Sequence, residues 1–170
     1  LGPQGTLYGA GSLGGIVRVL PNMPELDTAH AAVSAGATLT QHGDPGFDAA
    51  ATVNLPISSE RLGARLVAYG ASEGGYIDDA LRDEDDVNRT DIVGGRAALR
   101  GVAEGGWTVD LGATYQRTTG EAQFADRDAP PLTRFSPVAQ DFSNEYALAD
   151  LVVRRDWNDL RFVSATGIVH

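Results

Sequence analysis

The sequence predicts an all-β chain: an antiparallel meander of about seven strands that forms part of a transmembrane β-barrel. Three observations lead there. Apolar and polar residues alternate with a period of two along most of the chain, the mark of strands with two unlike faces. Many alternating stretches exceed the roughly five or six residues common in soluble sheets and suit a tilted membrane-spanning strand of ~9–11 residues. The connections sort into short turns and long loops, as expected where turns gather on one side of a membrane and loops on the other.

Taken in order, Val33, Ala35, Ala37 and Leu39 alternate with Ser34, Gly36, Thr38 and Thr40. Ala49, Ala51, Val53, Leu55 and Ile57 alternate with Ala50, Thr52 and Asn54, and Leu62, Ala64, Leu66 and Ala68 oppose a face carrying Arg65 and Tyr69. Val93, Ala97 and Leu99 lie opposite Arg96 and Arg100. The clearest strand sets Trp107, Val109, Leu111, Ala113 and Tyr115 against Thr108, Asp110, Gly112, Thr114 and Gln116. Ala147, Ala149, Leu151 and Val153 oppose Asp150 and Arg154, and residues 160–169 read as a strand whose faces the pattern does not assign. The turns at 58–61, 103–106 and 158–159 are short, and the loops at 75–90 and 120–143 are long. The first hairpin, around Gly43, Asp44, Pro45 and Gly46, is short as well.

Composition narrows the function classes. Twenty-three acidic against thirteen basic residues give a formal charge of −10, which argues against a nucleic-acid partner. Seven of the acids fall between Asp78 and Asp91, and residues 83–86 among them are read as a solvated loop. Cysteine is absent, which excludes disulfides and thiolate metal sites. No stretch approaches the ~20 consecutive apolar residues of a transmembrane helix, so a membrane would be crossed by strands. Trp107 opens one strand and Trp157 closes another, each beside a short turn; both are expected on one rim, as interface aromatics of a girdle. A soluble β-sandwich would alternate too, but its core usually needs bulkier side chains than these many alanines.

The first 24 residues have another texture, with Gly2, Gly5, Gly9, Gly11, Gly14 and Gly15 followed by Ile16, Val17, Arg18 and Val19 and then by Pro21 and Pro24. Pro3 and Tyr8 complete a Gly-Pro-x-Gly-x-x-Tyr-Gly segment with a glycine pair and a short strand after it. This order resembles the plug-terminal motif of TonB-dependent outer-membrane receptors. Gly75, Tyr76, Ile77, Asp78 and Asp79, then Asp86, Val87 and Asn88, then residues 94–100, are similar to an early loop and descending strand of the same family. The two motifs touch about a quarter of the chain. The family usually has an arginine before the Gly-Pro; here Leu1 stands there.

The resemblance implies residues 1–24 as the C-terminal end of a plug with its linker, and 25–170 as the first strands of a truncated barrel of ~22 strands. Both chain ends are read as internal boundaries, so a leader and the energy-coupling segment would lie upstream. Gly2, Pro3, Gly5, Tyr8, Gly9, Gly14 and Gly15 would let plug backbone pack closely inside the barrel. Lumen-facing Arg65, Arg96, Arg100 and Arg154 would contact the plug or a passing ligand, or pair within a polar lumen. The implied partners are outer-membrane lipid, the inner-membrane TonB energy-coupling complex and a small-molecule nutrient such as a ferric siderophore. The implied role is active import at the bacterial outer membrane, without catalytic residues, bound cofactor or metal. A passive porin or small structural barrel is the alternative from another class, and an excised sheet of this kind is expected to aggregate in water without detergent.

Several short motifs point elsewhere and lack their context. Gly9-x-Gly11-x-x-Gly14 fits a dinucleotide fingerprint but has neither the strand before it nor the helix after it. Ala10-x-Ser12-x-Gly14 resembles a nucleophile elbow with its first glycine replaced by alanine, and it lacks the following helix. His30, His42 and His170 have no metal-ligand spacing, and residues 83–86 lack the spaced ligands of a calcium loop.

Overall fold

The computed structural model describes Gly15, residues 19–58, 60–121 and 123–170. Gly2, Pro3, Gly5, Tyr8, Gly9 and Gly14 of the glycine-rich motif lie outside the described residues. Gly15 lies inside them, with φ 116°, a conformation that glycine adopts without steric cost.

The chain is all-β, with no helix among the described residues. Its strands are β1 (His30–Thr38), β2 (Gly46–Ser58), β3 (Leu62–Glu73), β4 (Asp78–Asp79), β5 (Thr90–Ala103), β6 (Trp107–Gly120), β7 (Thr133–Arg134), β8 (Phe142–Asp156) and β9 (Arg161–Val169). Seven form one sheet in the order β1-β2-β3-β5-β6-β8-β9, each pair antiparallel. The alternating segments of the sequence are these seven strands. β4 and β7, two residues each, were not legible; they lie in the two long loops and pair with each other in parallel.

Turns gather at one end of this sheet and long loops at the other. β5 and β6 join through 104–106, where Gly105 and Gly106 take φ 77° and 81°, the left-handed geometry of a three-residue hairpin. Ile57 departs from the expected alternation: the β2–β3 register shifts between Pro56 and Ser58, so Ile57 is the extra residue of a bulge. Leu39 and Thr40 fall beyond β1, in the first turn.

The register assigns the two faces. Leu55, Ala64, Leu99, Leu111 and Leu151 lie in one cross-strand row, and Val53, Leu66, Ala97, Ala113 and Ala149 share their face in the next. The opposite face carries Asn54, Arg65, Tyr69, Arg96, Arg100, Asp110, Gln116, Asp150 and Arg154. In β9 the register settles what the pattern left open: Phe162, Ser164, Thr166 and Ile168 join the apolar face.

The polarity of this sheet is inverted relative to a protein core in water. On the polar face Asn54 and Asp110 are 0% exposed, while on the apolar face Leu55 is 46% and Leu111 49% exposed. No second layer covers the apolar face among the described residues.

Candidate functional site

The polar face of the sheet is built from ion pairs and hydrogen bonds between strands. Arg100 and Asp110 stand directly opposite each other across the β5–β6 hairpin. The guanidinium grips the carboxylate with two hydrogen bonds, Nε to Oδ1 at 2.6 Å and Nη2 to Oδ2 at 3.1 Å. Arg154 of β8 reaches the same carboxylate diagonally through Nη1. Two cations thus share one fully buried anion, leaving a formal excess of one positive charge at this point. Such two-point contacts fix orientation as well as charge.

Farther toward the loops, Tyr69 lies flat across Gly94 and donates to Gln116 Oε1 at 2.7 Å, spanning β3 to β6. Gly94 is required here, because a Cβ at that position would sit 2.4 Å from the tyrosine ring.

The segment before β1 crosses this polar face. Asn54 holds it with three hydrogen bonds: Oδ1 accepts from the Glu25 amide at 3.0 Å, and Nδ2 donates to the carbonyls of Glu25 at 3.0 Å and Thr28 at 2.7 Å. A buried amide with both ends used in this way is stabilising, and an unpaired one would be costly. Gly63 leaves the space in which Pro24 and Leu26 lie. Arg96 donates to the Asn22 carbonyl at 3.1 Å, and Arg65 to His30 Nε2 at 3.2 Å. The four arginines singled out from the sequence therefore share one face but not one site. Arg100 and Arg154 meet at Asp110, Arg96 holds the entering segment, and Arg65 pairs with the first residue of β1.

At the other end the loops 74–89 and 121–141 fold together into a cap. Its hub is Asp79, fully buried although it belongs to the acidic run. Its Oδ1 accepts from the amides of Leu81 at 3.1 Å and Ser136 at 3.2 Å, and its Oδ2 from Arg82 Nε at 3.1 Å, with Arg134 Nε 3.4 Å away. Arg82 continues to Glu84 at 3.0 Å and to Glu121, so one guanidinium ties both loops and the end of β6. Burial pushes the Asp79 carboxyl upward. The Ser136 amide, the Arg82 guanidinium and the amides of Leu81 and Arg82 outweigh that and hold it below the usual carboxylate range. Asn88 organises the neck of the same loop, its Oδ1 accepting from the amides of Tyr76 at 2.7 Å and Ile77 at 2.8 Å.

The expectation of a solvated loop covers residues 83–86, of which Asp86 is half-buried, and Asp79 lies outside that run. Asp83, Glu84 and Asp85 are exposed, whereas Asp79 is the buried centre of the cap. Asp86 is pushed above the usual carboxylate range by burial, with Asp44, Asp78 and Asp85 around it. Among the described residues no three metal-ligating side chains converge. A recess of about 280 Å³ lies beside the cap, lined among others by Asp48, Glu73 and Tyr76.

At the turn end Trp107 and Trp157 meet edge to face with centroids 6.1 Å apart, and Phe162 joins at 5.9 Å from Trp107. The Arg155 guanidinium lies over both indoles, 5.0 Å and 4.6 Å from their centroids. Sequence reasoning brought the two tryptophans to one rim and missed Arg155. The signal for it was present: Arg155 continues the apolar series Ala147, Ala149, Leu151, Val153 as the one charge at its end.

Asp110 was equally accessible to sequence reasoning, since Arg100 and Asp110 mirror each other about the Gly105–Gly106 turn. Compared with known protein families, curated proteins and solved structures, the chain matches none.

Proposed function

We propose that this chain is part of a TonB-dependent outer-membrane transporter, comprising the end of the plug and the opening strands of the barrel, which binds a scarce nutrient such as a ferric siderophore and imports it actively. The observation that carries the membrane half of this reading is the inverted polarity of the sheet. A face of Val, Leu, Ala and Phe with no charge between its rims is stable against hydrocarbon and unstable against water.

The dimensions agree. On β6 the apolar face runs without a charge from Trp107 to Tyr115 before Arg117 begins the loop rim. Eight rises of ~3.4 Å span roughly 27 Å along the strand. At a strand tilt of ~35–45° this is roughly 20 Å of apolar height, close to the ~25 Å band of outer-membrane barrels. The aromatic cluster then sits at the short-turn rim, where a girdle belongs.

The transporter half rests on the glycine-rich plug-end motif in the sequence. The segment 22–28, held against the polar face by Asn54 and Arg96, fits the strand-to-plug connection which that motif implies. No covalent chemistry is involved: ligand binds among the loops and the plug apex, and a pull on the plug opens a path.

The test is uptake by cells carrying the complete reading frame of the parent gene. Labelled ferric siderophores are expected to accumulate in cells with an intact energy-coupling complex and not in cells lacking it. Uptake independent of that complex would favour the passive porin, and a chain that stays out of the outer-membrane fraction would refute the membrane reading.

A further inference from the structure

Arg155 is a guanidinium without an acceptor. It makes no hydrogen bond or ion pair with any described residue; its Nε is fully covered by the chain, which leaves Nη1 and Nη2 as the donors an external group would meet. Guanidinium donors at an apolar rim normally find acceptors, because leaving them unmade is costly. The surroundings of Arg155 on its own face are complete within this chain. β8 is an interior strand; Arg155 stands directly opposite Trp107 of β6 on one side and Phe162 of β9 on the other. No missing neighbouring strand is needed to explain its empty donors.

The position is also specific. Arg155 is on the apolar face, at the turn-end rim, with its cation held over two indole rings. The nearby acids are engaged or point elsewhere: Asp156 is on the opposite face and is gripped by Arg161 at 2.6 Å, and Asp159 is in the exposed 157–160 turn. Gly105 leaves room beside the guanidinium, a Cβ there lying 3.7 Å from Nη2. An aromatic-braced, planar, permanently charged fork facing outward at the edge of an apolar band has the geometry for a tetrahedral oxyanion.

We propose that Arg155, braced by Trp107 and Trp157, binds the phosphate of a glycerophospholipid headgroup at the turn-end interface of the membrane. The indoles hold the guanidinium in place while the acyl chains run along Val153, Leu151 and Phe162. This rests on the membrane reading above and assigns a lipid contact to a named residue, independent of which nutrient is carried.

The experiment uses the full-length protein extracted from membranes in mild detergent, with native mass spectrometry counting bound lipid after addition of phosphatidylethanolamine or of diacylglycerol. The phospholipid is expected to bind and the phosphate-free diacylglycerol is not. Arg155→Gln should lower phospholipid retention roughly tenfold, the loss of one charge-assisted contact. Arg155→Lys, which keeps the charge and drops the planar fork, should fall between and serves if Arg155→Gln does not fold. Equal retention of diacylglycerol, or undiminished phospholipid in both variants, overturns the lipid site while leaving the membrane reading intact. A protein that never enters the membrane fraction overturns both.

Discussion

The wall and the cap of this molecule bury different kinds of side chain. In the cap Ile77 and Val87 are buried beside Asp79 and Arg134, while Leu81, Phe124, Phe135 and Val138 are exposed together with Asp83, Glu84 and Asp85. In the wall Asn54, Ala98 and Asp110 are buried on the polar face, and Leu55, Leu66, Leu99 and Leu111 on the other face are exposed. On the proposed reading, one chain contains a cap that meets water and a wall whose stable surroundings are apolar. The difference teaches that burial of hydrophobic residues is a statement about solvent rather than about proteins. It also locates the membrane on the proposed reading: it would end where the inversion ends, at Asp91, Arg117 and Glu145 on the loop side and at Arg155 on the turn side.

The largest expected effect breaks the comparison directly. Leu111→Arg places a charge at the middle of the apolar face, between Leu99 and Leu151. It should destabilise the protein folded in lipid vesicles by about 2–4 kcal/mol, measured by urea unfolding. Thr114→Arg, three residues on and on the other face, should cost under about 1 kcal/mol. Equal costs would mean that the two faces do not meet different solvents.

Next is Asp79→Ala, which removes the centre of the cap and leaves Arg134 and the Ser136 amide without an acceptor. Protease cleavage within 74–89 and 121–141 should rise roughly tenfold, the change expected from losing one buried hydrogen bond of ordinary strength, with the strands still protected. Acid separates the two regions as well. The folded-state pKa of Asp79 is depressed, so its contribution is fully present above its unfolded value of ~3.9 and is lost as pH falls below it. Asp86 works in the opposite sense. Its raised folded-state pKa means that the cap gains stability as pH falls from neutrality toward ~4. Loop protection, followed by hydrogen exchange, should therefore rise slightly on mild acidification and collapse below about pH 4; Asp86→Asn should abolish the rise alone.

These responses separate what the sequence made legible from what it hid. Strands with unlike faces announce themselves by period two, so β2, β3, β5, β6 and β8 and their faces could be read residue by residue. β9 could not, because Phe162 and Ile168 share a face with Ser164 and Thr166, and Val163 and Val169 occupy the other. The bulge at Ile57 was hidden for a related reason: one inserted residue leaves composition unchanged. The cap was illegible because β4 and β7 are too short to have a period and pair across more than fifty residues of chain. Asp79 looked like its acidic neighbours, and only the approach of Arg82, Arg134 and Ser136 from three places makes it different. The arginines were assigned to the right face, while their partners depend on register and on the path of residues 22–28.

Smaller effects sharpen the picture of the polar face. Tyr69→Phe removes the hydrogen bond to Gln116 and should cost about 1 kcal/mol in the same unfolding experiment. Gly94→Val should cost more, since it displaces the ring. Arg117→Ala breaks an exposed pair with Glu145 at the loop rim and should change stability by under about 1 kcal/mol, less still in high salt.

These 170 residues contain no cysteine, so single cysteines placed in them, with any cysteine elsewhere in the full-length protein replaced by serine, open the most direct measurement. Single cysteines at Val109, Leu111 and Ala113 on one face, and at Thr108, Gly112 and Thr114 on the other, can carry spin labels in the full-length protein reconstituted in lipid. Collision with oxygen, which partitions into hydrocarbon, and with a water-soluble nickel chelate then reports the solvent at each site. The expected result is an alternation with period two along β6, oxygen dominating at Val109, Leu111 and Ala113 and nickel at no position among them. Labels on the apolar face that meet the nickel chelate as freely as those in the cap would contradict a membrane-facing wall.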